Sequence, residues 1–169
     1  FVPAALWRGW WLCRQERFNV INAQFAVPSG LVAWPLARWL GVPFILSFIG
    51  GDVYDPSKGT SPHRNVVLRW LIRRLARVAA ARTAISSDVA RRARELHGVE
   101  QPITVVPLGL IPTKVTVKTR TELGLPEHVP LFISVGRLIP RKGFEDLLRA
   151  WQDIPTAHLA IVGDGPLRS

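Results

Sequence analysis

Along most of the chain, short continuous apolar runs alternate with stretches whose apolar residues recur at helical spacing. The runs are "FNVINAQF" (18–25), "VPFILSFI" (42–49), "RTAIS" (82–86), "ITVVP" (103–107), "PLFISVG" (130–136) and "HLAIVG" (158–163). Being rich in Val, Ile, Leu and Phe, they predict strands buried on both faces, as in a parallel sheet covered by helices. Between them lie three predicted helices. "LVAWPLARWLG", after Gly30, ends at Gly41-Val42-Pro43, where proline cannot continue the helix, and Pro35 inside it predicts a kink or a late start. From about Pro62 to Ala80, Leu68, Leu71, Leu75 and Val78 share one face and Arg69, Arg73 and Arg77 another. "SSDVARRARELHG" has Ser86 or Ser87 as its cap and Gly98 beyond its end. Strand and helix in strict alternation predict an α/β doubly wound fold, whose ligands bind beyond the carboxyl ends of the strands.

The rhythm breaks at residues 111–129, "IPTKVTVKTRTELGLPEHV", which are polar and proline-punctuated. The expected organisation is a first domain over residues 1–112, a linker over 113–129 and the start of a second domain over 130–169. The chain begins at Phe1 and contains no methionine in its 169 residues. Two domains of this class need about 200 to 300 residues, so the expectation is an internal fragment with both domains incomplete, inactive by itself.

Composition narrows the function classes. A hydrophobic content of 48% excludes a disordered tail. The single Cys13 excludes an intrachain disulfide, and no metal-ligand spacing occurs, so a reducing cytoplasmic setting without a metal is expected. The stretches around Phe1–Cys13 and Gly41–Gly51 fall short of the roughly 20 residues that span a bilayer. Lys and Arg number 22 against 12 acids, and residues 64–94 hold nine arginines with Asp88 as their single acid. Such a balance favours polyanionic partners. The arginine-rich helix over 64–77 has three readings: a solvated face, an anionic membrane surface with Trp70 as anchor and peripheral attachment at the inner face, or nucleic acid. Nucleic acid ranks last, because no helix-turn-helix or stacked aromatic sheet is recognisable.

The segment "VGRLIPRKGFEDLLRAW" (135–151) places Gly136 and Arg137 at the end of a strand and Lys142 before a helix carrying Phe144, Leu147, Leu148 and Trp151. Free backbone N–H groups and the positive end of the helix dipole face the same turn, which favours an anion. An arginine fork and a lysine point charge together suit a diphosphate. A second turn, Gly163-Asp164-Gly165-Pro166, follows the next strand. Neither matches a dinucleotide fingerprint or a P-loop, so NAD and ATP are poor guesses. Asp52, in "GGDVYDP", sits just past a strand and has two readings, a contact to an acceptor hydroxyl or a turn aspartate bonding backbone N–H groups. Asp55, Ser57 and His63 read as turn and helix-start chemistry.

"SVGRLIPRKGFEDLLRAW" followed by "LAIVGDGPLR" resembles the donor-binding half of retaining GT-B glycosyltransferases, the family-four, group 1 glycosyl transferases. "PSGLVAWPLARWLGVP" and the loop around "GGDVYDPSKGTSPHR" are similar to that family's acceptor-side domain, and "ITVVPLGL" resembles the strand and loop before the interdomain connection. The resemblance implies two Rossmann-like domains and a hexosyltransferase-type enzyme that takes a nucleotide-diphosphate sugar and a saccharide or lipid-linked saccharide acceptor. It implies no cofactor and no metal. It places Arg137 and Lys142 on the diphosphate as catalytic cations, with Gly136, Gly163, Asp164 and Gly165 around the nucleotide-sugar and Asp52 on the acceptor side. Many members carry histidine where this chain has Ile49 and Gln24. The alternatives are a GT-B nucleotide-sugar epimerase, or a non-catalytic basic domain that binds anionic lipid or nucleic acid.

Overall fold

A computed structural model of the chain describes residues 2–56, 59, 61–112 and 116–168; Ser57 lies outside them. The chain forms two compact units, Phe1–Leu110 and Ile111–Ser169. The first contains α1 (Val2–Gln15), β1 (Ile21–Gln24), α2 (Ser29–Leu40), β2 (Phe44–Phe48), α3 (Val66–Val78), β3 (Ala81–Ala84), α4 (Ser87–His97) and β4 (Thr104–Val105). Its strands pair in parallel in the order β1-β2-β3-β4. Parallel neighbours need a crossover, and α2, α3 and α4 supply one each.

The register sets Ala23, Leu46, Phe48 and Ala84 on one face of this sheet. There they join Ala33 and Ala37 of α2, Ile72, Leu75 and Ala76 of α3, and Ala90 and Ala93 of α4 in one core. Leu46, Phe48 and Ile72 are wholly buried, and each contributes about 1.5–3 kcal/mol by leaving water. The core is confined to that face. This differs from the expectation of strands buried on both sides: the opposite face carries Asn22, Gln24, Ser47 and Thr83, polar residues set inside runs that read as apolar. Thr83 Oγ1 donates to Ser47 Oγ at 2.8 Å, and Ser47 Oγ donates to Asn22 Oδ1 at 2.9 Å.

Helix ends follow local chemistry. α3 begins at Asn65, whose Oδ1 accepts from the N–H groups of Val67 and Leu68 at 2.9 and 3.1 Å. The residues before it form a short 3-10 turn, Pro62–Arg64, so the helix starts later than its apolar spacing predicts. At its other end Arg82 takes the carbonyls of Ala76 and Ala79 at 3.0 and 2.8 Å, satisfying oxygens that the last turn cannot pair. Ser86 caps α4 by accepting from Val89 N–H at 3.2 Å. α2 runs from Ser29 to Leu40 with Pro35 inside it, so of the kink or late start expected there the late start does not occur. α1, which hydropathy alone did not reveal as a helix, packs on α2 where Gly9 faces Leu36.

His97 closes α4 inside the unit. Its Nε2 lies 2.8 Å from the Val53 carbonyl and donates to it, whereas Nδ1 is buried with no partner among the described residues. Burial holds the imidazole below its ordinary range; the Val53 bond opposes this, Arg69 adds to the lowering, Asp52 opposes it, and His63 adds again. A histidine whose folded pKa is depressed binds its proton more readily when unfolded, so its contribution is complete above about pH 6.5 and fades as the pH falls through that value. Urea midpoints of the wild type should therefore drop between pH 7 and pH 5, and His97→Gln should start lower but lose less over the same interval. Parallel pH profiles for the two proteins would show that another group sets the dependence.

The second unit contains β5 (Leu131–Val135), α5 (Phe144–Trp151) and β6 (His158–Val162). β5 and β6 pair in parallel from Leu131 opposite His158 to Val135 opposite Val162. Phe144 is buried, and Trp151 meets Phe132 edge-on at 5.2 Å, which ties α5 to one face of the pair. On the other face Ile133, Val135 and Val162 are exposed. Arg120 binds the carbonyls of Pro126, Glu127 and Val129 at 3.2, 3.3 and 3.0 Å and gathers the segment before β5.

Candidate functional site

In the second unit the two glycine turns expected from the sequence lie against each other at the carboxyl ends of β5 and β6. The ladder continues past the strands, with Gly136 N–H donating to Val162 O at 3.0 Å and Leu138 N–H to Asp164 O at 2.9 Å. A Cβ on Gly163 would overlap the Gly136 carbonyl oxygen and lie 3.0 Å from its carbon. One on Gly165 would lie 2.8 Å from the Leu138 carbonyl carbon. Both positions therefore exclude any side chain for steric reasons, a constraint that spacing alone did not reveal.

Arg137 leaves this junction directly, and Lys142 ends the short 3-10 turn Pro140–Lys142. Gly143 follows with φ +66°, a left-handed conformation that reverses the chain into α5. Arg137 and Lys142 are both exposed, and no side-chain partner holds either among the described residues. Nearby charges are engaged elsewhere. Asp164 Oδ1 accepts from Gly165 N–H at 2.8 Å and lies 3.6 Å from Arg168, while Asp146 in the first turn of α5 pairs with Arg149 at 2.6 Å. The structure thus brings Gly136, Arg137, Lys142, Gly163, Asp164 and Gly165 into one turn region with two uncommitted cations.

In the first unit Asp52 is 4% exposed. Its Oδ2 accepts from Ala26 N–H at 2.9 Å, and its Oδ1 accepts from Ile49 and Gly50 N–H at 3.1 and 3.0 Å. Of the two readings open from the sequence, this is the backbone-bonding one. Asp52 clasps the loops after β1 and β2 together. Beside it lies a cleft of about 340 Å³ lined by Phe25, Pro28, Pro62 and Leu68. Gln24 and Ile49 open instead onto the polar sheet face, in a separate cleft of about 320 Å³. Asp55 is buried; its N–H donates to Ser61 Oγ at 3.0 Å, and Ser61 Oγ lies 2.7 Å from His63 Nδ1. Ser61 is wholly buried, so this pair is structural. The sequence reading missed Asn65 as a cap and the Asp52 clasp to Ala26; the first was legible as an Asn three residues before Leu68, the second joins residues 26 positions apart.

Residues 1–109 match the family described as glycosyl transferase 4-like domain, and residues 116–169 match glycosyl transferases group 1. The chain belongs to the glycosyl transferase 4-like family, and its fold is α/β of the GT-B type. It is 29% identical over 156 residues to TuaC of Bacillus subtilis (strain 168), named for a glycosyltransferase role in teichuronic acid biosynthesis; the match covers 89% of this chain and 39% of that protein. It is 33% identical over 84 residues to the lipopolysaccharide core biosynthesis glycosyltransferase LpsD of Rhizobium meliloti (strain 1021), covering 50% of this chain and 24% of that one. Sucrose-phosphate synthase from Thermosynechococcus elongatus superimposes with a TM-score of 0.77 at 22% identity, over 99% of this chain and 43% of its own; that likeness concerns the fold. The matched regions therefore span less than half the length of each of these relatives.

Proposed function

We propose that this chain is part of a glycosyltransferase that moves a sugar from a nucleotide-diphosphate donor to a saccharide or lipid-linked saccharide acceptor. The observation that carries the reading is the pair of exposed, uncommitted cations, Arg137 and Lys142, around the joined glycine turns. As the glycosidic bond breaks, negative charge grows on the leaving diphosphate, and preplaced cations stabilise that state more than the bound donor. On this reading Arg137 grips two oxygens and Lys142 neutralises a third, so the chain's own side chains do what a metal does elsewhere. The family's retaining stereochemistry and hexosyl donors are part of the same proposal. So is the acceptor class, for which the support is the names of TuaC and LpsD, which refer to teichuronic acid biosynthesis and lipopolysaccharide core biosynthesis.

Incubating the full-length protein with nucleotide-sugars, with and without extracts of cell-envelope glycans, tests the reading. Free nucleoside diphosphate should form in step with a glycosylated product and only when an acceptor is present. Sugar epimerisation, or diphosphate release indifferent to acceptor, would replace transfer by another reaction on the same donor.

A further inference from the structure

The outer surface of α3 joins exposed apolar groups to a row of arginines. Its exposed stripe begins apolar, with Val66 at 76%, Val67 at 64% and Trp70 at 60% exposure, and continues as Arg73, Arg74 and Arg77. At 1.5 Å per residue this stripe is about 16 Å long. No Asp or Glu occurs between Pro56 and Ser87. On α4, by contrast, Asp88 and Glu95 bind Arg91 and Arg92 at 2.5 to 2.7 Å. Arg74 and Arg77 have no such carboxylate among the described residues, and Arg73 only donates through Nε to the His97 carbonyl at 3.0 Å. Trp70, Arg73, Arg74 and Arg77 enclose a depression of about 140 Å³, large enough for a phosphate group.

We propose that this stripe of α3 docks the protein on an anionic lipid surface, with the guanidinium groups of Arg73, Arg74 and Arg77 on lipid phosphates and Val66, Val67 and Trp70 at the headgroup–acyl boundary. A solvated face or a nucleic-acid groove would leave the two valines and the tryptophan without a partner. An interface that is charged at one depth and apolar at the next matches both halves. Buried Ile72, Leu75 and Ala76 hold the opposite side of the helix in the core, so the stripe is presented by a rigid element. Near the end of neighbouring α2, Arg38 lines a cavity together with Val78 of α3, which adds one more cation beside the stripe.

The test is sedimentation of the full-length protein with vesicles of phosphatidylcholine alone or mixed with phosphatidylglycerol, a measurement that needs no sugar donor and so fails independently of the transfer reading. Binding should require phosphatidylglycerol and weaken with salt. Arg74→Gln with Arg77→Gln should reduce it about thirtyfold at low salt, from the usual gain per basic residue near such a surface. Arg91→Gln with Arg94→Gln, an equal change of charge on α4, should reduce it less than about threefold. Trp70→Ala should weaken what binding survives at moderate salt. Equal losses from the two double variants, equal binding to phosphatidylcholine, displacement by inorganic phosphate, or tighter binding to duplex DNA or RNA than to vesicles would each overturn the proposal.

Discussion

Replacing Arg137 or Lys142 by alanine in the full-length protein should lower turnover at saturating donor by about thirty- to eight-hundredfold. The range corresponds to roughly 2–4 kcal/mol, the usual cost of removing one preorganised group from a site of developing charge. Because the cations act on charge that grows as the bond breaks, the loss should fall on kcat rather than on KM alone. Arg137→Lys should recover only part of it, since an ammonium cannot grip two oxygens in one plane. Arg149→Ala, at the far end of α5 and paired with Asp146, should leave turnover within about threefold of wild type, as for surface charges remote from a site. Near-normal turnover in Arg137→Ala and Lys142→Ala together would remove the diphosphate from this turn.

Gly163→Ala should abolish the second unit. The added methyl has no flexible side chain to displace: the atom it meets is the Gly136 carbonyl oxygen, fixed at the end of β5 by the same ladder that pairs Gly136 with Val162. Relief requires the two strands to part where Arg137 and Lys142 are positioned. A cost of about 3 kcal/mol or more is expected, enough to unfold a unit with so small a core. In amide exchange, protection of residues 131–135 and 158–162 should vanish while that of β1 to β3 persists. Gly109→Ala, where nothing lies within 4 Å, should change neither set. Protected amides in both strands of Gly163→Ala would mean that the turns separate without cost.

The contrast between these substitutions reflects what was legible in the sequence. Apolar runs and helical spacing gave the element order and the parallel pairing, and Gly41 and Gly98 marked helix ends where they occur. Arg137, Lys142 and the glycine turns were legible because their types and order are local. What was not legible depends on contacts between distant segments. That Gly163 must be glycine follows from a carbonyl 27 positions earlier, and the part played by Asp52 follows from the Ala26 N–H on another loop. α1 was overlooked because Trp7 and Trp11 are outward-facing, which blurs the amphipathic pattern.

The hydroxyl chain from Thr83 through Ser47 to Asn22 also bears on how the first unit avoids misalignment. Slipping β2 by one residue would turn Leu46 and Phe48 out of the core, an error that hydrophobic burial punishes at once. Slipping it by two would not, since Ile45, Ser47 and Ile49 alternate on the same face and the core would still receive apolar groups. The hydroxyl distinguishes those two alignments, together with the Asp52 clasp just past the strand: with an isoleucine in place of Ser47, Thr83 would lose its acceptor and Asn22 its donor. Three small polar groups on the side of the sheet away from the core therefore act as the alignment key of a fold whose oily side could be assembled in more than one frame.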